Sequence, residues 1–439
     1  MAPKRQTQIT SPQTLTKEQT DSSNFPPELV LEILEHVNCS DFDSLFNCCL
    51  VSRAWRQLAQ PFVFADLRLS LESKSGLWIE RLEEAPHLAE HVKGLHMWGS
   101  DWEDTNGFPD HPQILEGSNT YDVVRRLPDI KRLKVCGFSY PFGETLLRTL
   151  KLSQLMGSES LELYDVVFDV EELLGFLSPM VQLKQLIISF LHLNYSVDYT
   201  RAAVILHDTV DPVPKALRSL NVTFDDTNLS CTVMWLLGGT FDLGSLTDLA
   251  VSWNHFSLKD QAELLGPTKL FLGAVGPKIK QLQFCIPLHR FKRYDELKDT
   301  CLLGFLISSQ ALSHFKQLEV VEFKAPLERS YPSYLSMIVL LTSRTTFPNL
   351  RRIEVSVRFF SGKDDSCECL SVWSDLDAHF SSTNFPRLRF VTIGMFLDCD
   401  AADDLVLTDI SSMIKKRMPV LASRGCLKFQ WQRYEDLLS

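Results

Sequence analysis

The chain has 439 residues, 45% of them hydrophobic and 23% charged, the balance of an ordinary folded protein. That length exceeds one simple core and predicts two or three domains, or one domain beside an extended repeat array. The formal net charge of -11 argues against a nucleic-acid or anionic-membrane surface as the main binding face, while leaving room for a local basic patch.

Residues 1–23 are polar, rich in Ser and Thr, and contain no apolar core of a secretory signal. They are expected to form a disordered tail, because they carry too little apolar surface to offset ordering entropy. The stretch NFPPELVLEILEHV (Asn24 to Val37) then predicts a short helix. Pro26 and Pro27 preset its first turn, and Glu28 suits the positive helix N-terminus. Leu29, Ile33, Leu34 and Val37 make an apolar face that Val30 and Leu31 widen. A second helix starts near Ser40, with Asp43 as a capping-box-like partner, and carries Phe42, Leu45, Phe46 and Cys49. A third, LVSRAWRQLA, carries Leu50, Val51, Trp55 and Leu58. Three such short helices are too small to form a stable core alone, so their apolar faces must lean on the rest of the chain or on another protein.

The segment FPPELVLEILEHV…DFDSLFNCCLVSRAWRQLA resembles an F-box. That family's pattern is Leu-Pro-x-Glu-Leu, Ile-Leu, a Leu-rich second helix and Val-Ser/Cys-Arg-x-Trp-Arg. The matches are Pro26, Pro27, Glu28, Leu29, Ile33, Leu34, Leu45, Leu50, Val51, Ser52, Arg53, Trp55 and Arg56, with Phe25 in place of the first Leu. The resemblance implies binding to the Skp-type linker subunit, and through it a cullin, of an SCF-type cullin–RING ubiquitin ligase. The remainder of the chain would select a protein substrate. Carried over residue by residue, Pro27, Leu29, Ile33 and Leu34 would face the linker, with Leu50, Val51 and Trp55. The plainer alternative has the helices pack only within this chain, with Leu45 and Trp55 holding the three together.

From about residue 90 one pattern recurs: apolar, two others, apolar, one other, apolar. It reads VKGLHM (Val92, Leu95, Met97), IKRLKV (Ile130, Leu133, Val135), LKQLII (Leu183, Leu186, Ile188) and LRSLNV (Leu217, Leu220, Val222). LTDLAV (Leu246, Leu249, Val251), IKQLQF (Ile279, Leu282, Phe284) and LEVVEF (Leu318, Val321, Phe323) follow, then LRRIEV (Leu350, Ile353, Val355) and LRFVTI (Leu388, Val391, Ile393). A damaged copy, SLELYDVVF, lies at residues 160–168. Apart from the damaged copy, spacing runs from 29 residues (Leu220 to Leu249) to 39 (Leu282 to Val321). The last two apolar positions alternate, which places a short strand there. Pro-containing turns precede several copies, and helix-like stretches such as FDVEELLGFL and YDELKDTCLLGFLISSQAL separate them. The period is strand, loop, helix, turn, and it predicts stacked parallel strands with helices outside. The pattern resembles the leucine-rich repeat. Of the positions where that family places a laddering Asn or Cys, only Asn254 and loosely Asp225 fit, so the solenoid should be irregular. The segment DISSMIKKRMPVLASRGCLKFQW predicts a final helix, a stop at Gly425 and a short edge strand that cap the array.

The sequence thus predicts an α/β chain: tail 1–23, three-helix F-box 24–68, and an irregular leucine-rich-repeat-like solenoid with parallel strands and outer helices over 69–439. The eleven cysteines lack a paired zinc-binding spacing and read as reduced thiols in a cytoplasmic or nuclear protein. No nucleotide-binding, serine-hydrolase or zinc-protease motif occurs, so neither cofactor nor catalysis is expected. His87 and His91, with His96 beyond, read as a polar helix face rather than a metal site. Inner-face side chains, among them Arg132, Lys134, Gln185, Asn221, Asp248, Gln281, Gln283, Glu322, Arg352 and Glu354, are the candidates for substrate contact. Trp98, Phe138, Phe190, Phe224 and Trp253 are candidate aromatic anchors that are equally suited to the core. The competing reading is a repeat scaffold for protein–protein contact without ubiquitin transfer.

Overall fold

The computed structural model describes residues 26–38, 42–70, 75–99, 119–138, 150, 152–194, 215–224, 229–253, 261–285, 310–324, 331–343, 345–359, 370–397 and 404–433. The expected tail, Asp225, Asn254 and most of YDELKDTCLLGFLISSQAL lie outside these. The chain divides into two compact units, with the boundary between Ala65 and Asp66.

The first unit holds α1 (Pro27–Asn38), α2 (Phe42–Val51) and α3 (Arg53–Val63). Leu29 N–H and Val30 N–H donate to the Pro26 carbonyl and start the first helix. Ser52 has an extended backbone between α2 and α3, and its hydroxyl accepts from Trp55 N–H at 3.2 Å, an N-cap. The Arg56 guanidinium donates to the Cys49 carbonyl at 3.2 Å, satisfying an end of α2.

The second unit is one parallel sheet of twelve strands in sequence order. They are β1 (Asp66–Ser70), β2 (Gly94–Trp98), β3 (Arg132–Phe138), β4 (Ser160–Asp169), β5 (Gln185–Asn194) and β6 (Ser219–Phe224). The sheet continues with β7 (Asp248–Trp253), β8 (Gln281–Cys285), β9 (Val320–Lys324), β10 (Arg352–Phe359), β11 (Phe390–Leu397) and β12 (Leu427–Arg433). Between strands run α4 (Ser75–Glu84), α5 (Leu88–His91), α6 (Asn119–Arg126), α7 (Leu152–Leu155), α8 (Val170–Leu177), α9 (Leu229–Leu237) and α10 (Gln261–Val275). Next come α11 (Tyr331–Ser343), α12 (Leu370–Phe380), α13 (Asp404–Arg417) and α14 (Pro419–Ser423).

The recurring apolar positions stack in register. Leu95, Leu133, Leu161, Leu186, Leu220, Leu249, Leu282, Val321, Ile353 and Val391 form one buried column. Met97, Val135, Leu163, Ile188, Val222, Val251, Phe284, Phe323, Val355 and Ile393 form the next. The damaged copy is therefore a full member of the sheet. Where other copies start with a buried apolar residue it has Ser158, whose buried hydroxyl donates to the Ile130 carbonyl at 2.7 Å. β1 is an additional copy at the start: Leu67 and Leu69 pair with Leu95 and Met97.

A ladder stands at the strand entrances. The Lys93 carbonyl accepts from both Lys131 N–H (2.8 Å) and Arg132 N–H (2.9 Å). The same double acceptance recurs at Lys131, Glu159, Lys184, Arg218, Thr247, Lys280, Glu319 and Arg351. Backbone groups make this ladder.

The predicted final helix is split. Pro419 begins α14 after α13 ends at Arg417, because its ring cannot donate into a continuing helix. Gly425 takes a left-handed φ of 66° before β12. The buried carboxylate of Asp377 on α12 accepts Val420 N–H and Leu421 N–H, each at 2.9 Å, and so ties the cap to the preceding repeat. On the same helix His379 Nε2 lies 2.7 Å from the Thr342 hydroxyl of α11, half-buried beside Phe380 and Phe385.

Asp377→Ala leaves two helix-start donors without their acceptor and should cost about 2 kcal/mol. Because repeats fray from their ends, hydrogen exchange of β12 amides should accelerate while β4 to β6 stay protected; unchanged exchange in β12 would remove Asp377 as the tie. Burial lowers the pKa of His379, so the unfolded chain binds the proton more readily than the native one. Its native contribution is therefore complete above the ordinary histidine range and is lost as pH falls through that range. The destabilisation caused by His379→Gln, read from urea midpoints, should be larger at neutral pH than at mildly acidic pH.

Candidate functional site

In the helical unit Val30, Leu34, Leu45, Cys49, Ala59 and Val63 form the core, with Val37, Cys48, Trp55, Leu58, Phe62 and Phe64 packed against it. Beside this buried stripe runs an exposed one. Leu29 (46% exposed) and Ile33 (40%) lie one turn apart on α1. Phe46 (53%) and Leu50 (65%) lie one turn apart on α2, followed by Val51 (65%). Leu31 is also exposed. These six are half of the twelve large exposed hydrophobic residues among the described part of the chain, on a unit that supplies only a small part of it. Full burial of such a side chain stabilises by about 1.5–3 kcal/mol, so the stripe is a large driving force for association.

The seven residues drawn from the sequence divide accordingly. Pro27, Leu29, Ile33, Leu50 and Val51 are on the surface. Leu34 is not: it is fully buried, because on α1 it shares the inward stripe with Val30, one turn away. Trp55 is half-buried against the helical core, the place the plainer reading gave it. Phe46 was missed. Its signal was the helical spacing to Leu50, next to the inward pair Leu45 and Cys49. The Cys49 thiol is pushed up first by burial and then by Cys48, with Arg56 pulling the other way, and the site offers no activated thiolate.

On the sheet, the inner-face candidates occupy positions that alternate with the buried columns. Arg132 donates to Asp66 at 2.9 Å across β2, where Gly94 makes room: a Cβ there would come within 1.7 Å of the Asp66 carboxylate. Lys134 pairs with Glu162 at 2.7 Å, and Arg352 with Glu354 at 3.0 Å. Burial, then opposition from Lys324 and reinforcement from Glu354, leave the Glu322 carboxyl above its usual range. Ser189 and Thr223 hydroxyls meet at 3.4 Å in the middle of the sheet.

The aromatic candidates split. Trp98 is partly exposed, with the Lys134 amine 6.0 Å from its ring. Phe138 and Phe224 are core residues. For Phe138 the reason is a bulge shared by three strands. Gly137, Asp165 and Phe190 all have left-handed φ (67°, 51°, 57°) and are skipped in the pairing, so Phe138 turns inward. Phe224 is simply the next inward step of its strand. Phe190 stays partly exposed, edge-on to Tyr164 at 5.4 Å, and the side chain of Trp253 lies outside the described residues. His87 and His91 are 6.4 Å apart, ring to ring, while His96 faces Asp66 at 3.8 Å. No cluster of potential metal ligands occurs among the described residues, nor does any of their helices have the length and apolarity to cross a membrane.

Compared with known proteins, residues 22–64 match the F-box domain. A curated relative, the F-box protein COS111 of Kluyveromyces lactis, is 29% identical over 77 residues, covering 18% of this chain. The chain spans about a tenth of that relative's length (10%). The three short helices, the Ser52 cap and the apolar surface all fall in the matched segment, and residues 22–64 of this chain are an F-box domain.

Proposed function

We propose that this chain is a non-catalytic substrate receptor of an SCF-type cullin–RING ubiquitin ligase. The observation that carries the reading is the exposed apolar stripe of the F-box helices: Leu29 and Ile33 on α1, Phe46, Leu50 and Val51 on α2. Helix-to-helix burial of such a stripe is how apolar helical faces find partners. The Skp-type linker is the partner, with a cullin beyond it. Pro27 flanks the docking face; Leu34 and Trp55 support it from within. The sheet unit is the part that binds a protein substrate, by its polar inner face and the strand edges beside it. The chain's contribution to ubiquitin transfer is then proximity, a raised effective concentration of substrate near the transferring subunits. This work is done inside the cell, in cytoplasm or nucleus.

Two kinds of substitution separate docking from folding. Leu29→Arg with Leu50→Arg places charges in the apolar contact and should weaken linker binding by about 2 kcal/mol or more per site, with the helices still folded. Leu34→Ala should instead destabilise the bundle by about 2–5 kcal/mol, seen as loss of its melting transition. Isothermal titration of the linker, together with circular dichroism, reads both. A folded double variant, with both leucines replaced by arginine, that binds linker at wild-type affinity would refute the docking face. Cullin recovered from cell extract with the wild-type chain supports the receptor reading; linker recovered without cullin favours a scaffold that transfers no ubiquitin.

A further inference from the structure

The strand entrances from β8 to β11 carry a row of exposed positive side chains. Lys280 precedes β8, Lys316 lies before β9, Arg351 precedes β10 and Arg352 opens it, and Arg387 and Arg389 lie before β11. All six are exposed. Arg351 and Arg352 have carboxylate neighbours, Glu319 at 3.7 Å and Glu354 at 3.0 Å. The other four have none among the described residues. Arg351, Arg387 and Arg389, with Pro386 and Leu388, line a groove of ≈ 400 Å³. Arg387 is held in place: it donates to the Asn349 side-chain oxygen at 3.1 Å, and the Asn349 amide donates to the Lys316 carbonyl at 3.2 Å. A cation fixed by a hydrogen-bond chain from the neighbouring repeat is preorganised for an anion, and ordering it on binding costs little.

We propose that this edge docks a short, carboxylate-rich segment of a partner protein, with the Arg groove as its centre. In the receptor reading, on which this rests for its biological meaning, that segment belongs to the substrate. The charge pattern selects the class of anion. Four of the six cations are arginines, whose planar guanidinium forks suit carboxylates in pairs. The row crosses four adjacent strands, about 14 Å, which is about four residues of extended peptide. Glu319, Glu322 and Glu354 stand within or beside the row. A polyphosphate strand with continuous charge would meet those carboxylates and the overall -11 of the chain, whereas a peptide can present its acids only where the cations are.

The test is fluorescence anisotropy on the full chain with a labelled Glu-rich decapeptide, its Gln counterpart and a labelled oligouridylate of equal charge. The Glu peptide should bind, less tightly as salt rises, and the other two should not. Arg387→Glu with Arg389→Glu should weaken peptide binding roughly tenfold or more, reversing two charges at the groove. Lys269→Glu with Lys416→Glu, the same charge change on outer helices, should leave it within about twofold. If the Glu pair lowers the melting temperature, Arg387→Gln with Arg389→Gln carries the comparison. Absent peptide binding, binding indifferent to the groove variants, or preference for the oligouridylate overturns the proposal. Linker titration on the same samples keeps the two readings apart, since peptide docking can fail with linker binding intact, and the reverse.

Discussion

The sheet unit depends on a carbonyl that accepts twice. At each strand entrance from β2 to β10 a single backbone oxygen takes two successive N–H groups of the next repeat. The chain is turning there, and two donors would otherwise face away from any strand partner. Sharing one oxygen satisfies both, and it also fixes the starting rung of the next strand. Register follows from that rung. A slip of one residue would carry each apolar column to the opposite face, so a lock at the entrance protects the whole core. The lock is made by backbone groups, joined at one rung by the Thr247 hydroxyl donating to the Arg218 carbonyl at 3.3 Å, and the side chain at that position varies among Lys, Glu, Arg and Thr.

That freedom explains what was legible in the sequence and what was not. The columns were legible, because both inward positions of every copy must be apolar. The laddering Asn or Cys was missing at every position but Asn254 and, loosely, Asp225, and irregularity was inferred from that. The register is in fact continuous, carried by bonds that leave no mark on residue identity. Ser158 hid one copy by replacing an apolar contact with a hydrogen bond to the backbone of the preceding repeat. β1 was hidden by following the helices directly in sequence, and the boundary expected after residue 68 falls inside it, between Leu67 and Leu69. The bulge over Gly137, Asp165 and Phe190 was illegible for another reason. Only one of its three residues is glycine, and two non-glycine residues with positive φ are held there by their neighbours.

In the helical unit the apolar stretch on α1 was legible, but its division was not. A helix of this length has one face, and the sequence shows that the face is too wide for one contact. It does not show where the inward half ends. Packing decides that: Val30 and Leu34 meet Leu45 and Cys49, leaving Leu29 and Ile33 one step around the helix. The same step separates Leu45 from Phe46 on α2. Two stripes side by side on each helix are what a small bundle requires when one stripe holds it together and the other must be covered by something else.

Stacking repeats in register also stacks charge, in pairs of opposite sign and in pairs of like sign. Near the N-terminal strands opposite signs fall on neighbours: Asp66 reaches Arg132 over Gly94, Lys134 meets Glu162, and Lys184 meets Glu159 at 2.6 Å. Each exposed pair adds little stability, but none opposes the stack. Like signs meet as well: Lys93 beside Lys131 and Lys184 beside Arg218 at earlier entrances, Arg351 beside Arg389 at a later one, and Glu322 beside Glu354 on the face. Like charges across adjacent strands destabilise a sheet. A lock made of backbone would tolerate any neutral residue at those entrances, so folding does not ask for the arginines. Their cost is borne by the twelve-stranded core, and what they add at the entrances of β10 and β11 is a cluster of arginine side chains around one groove.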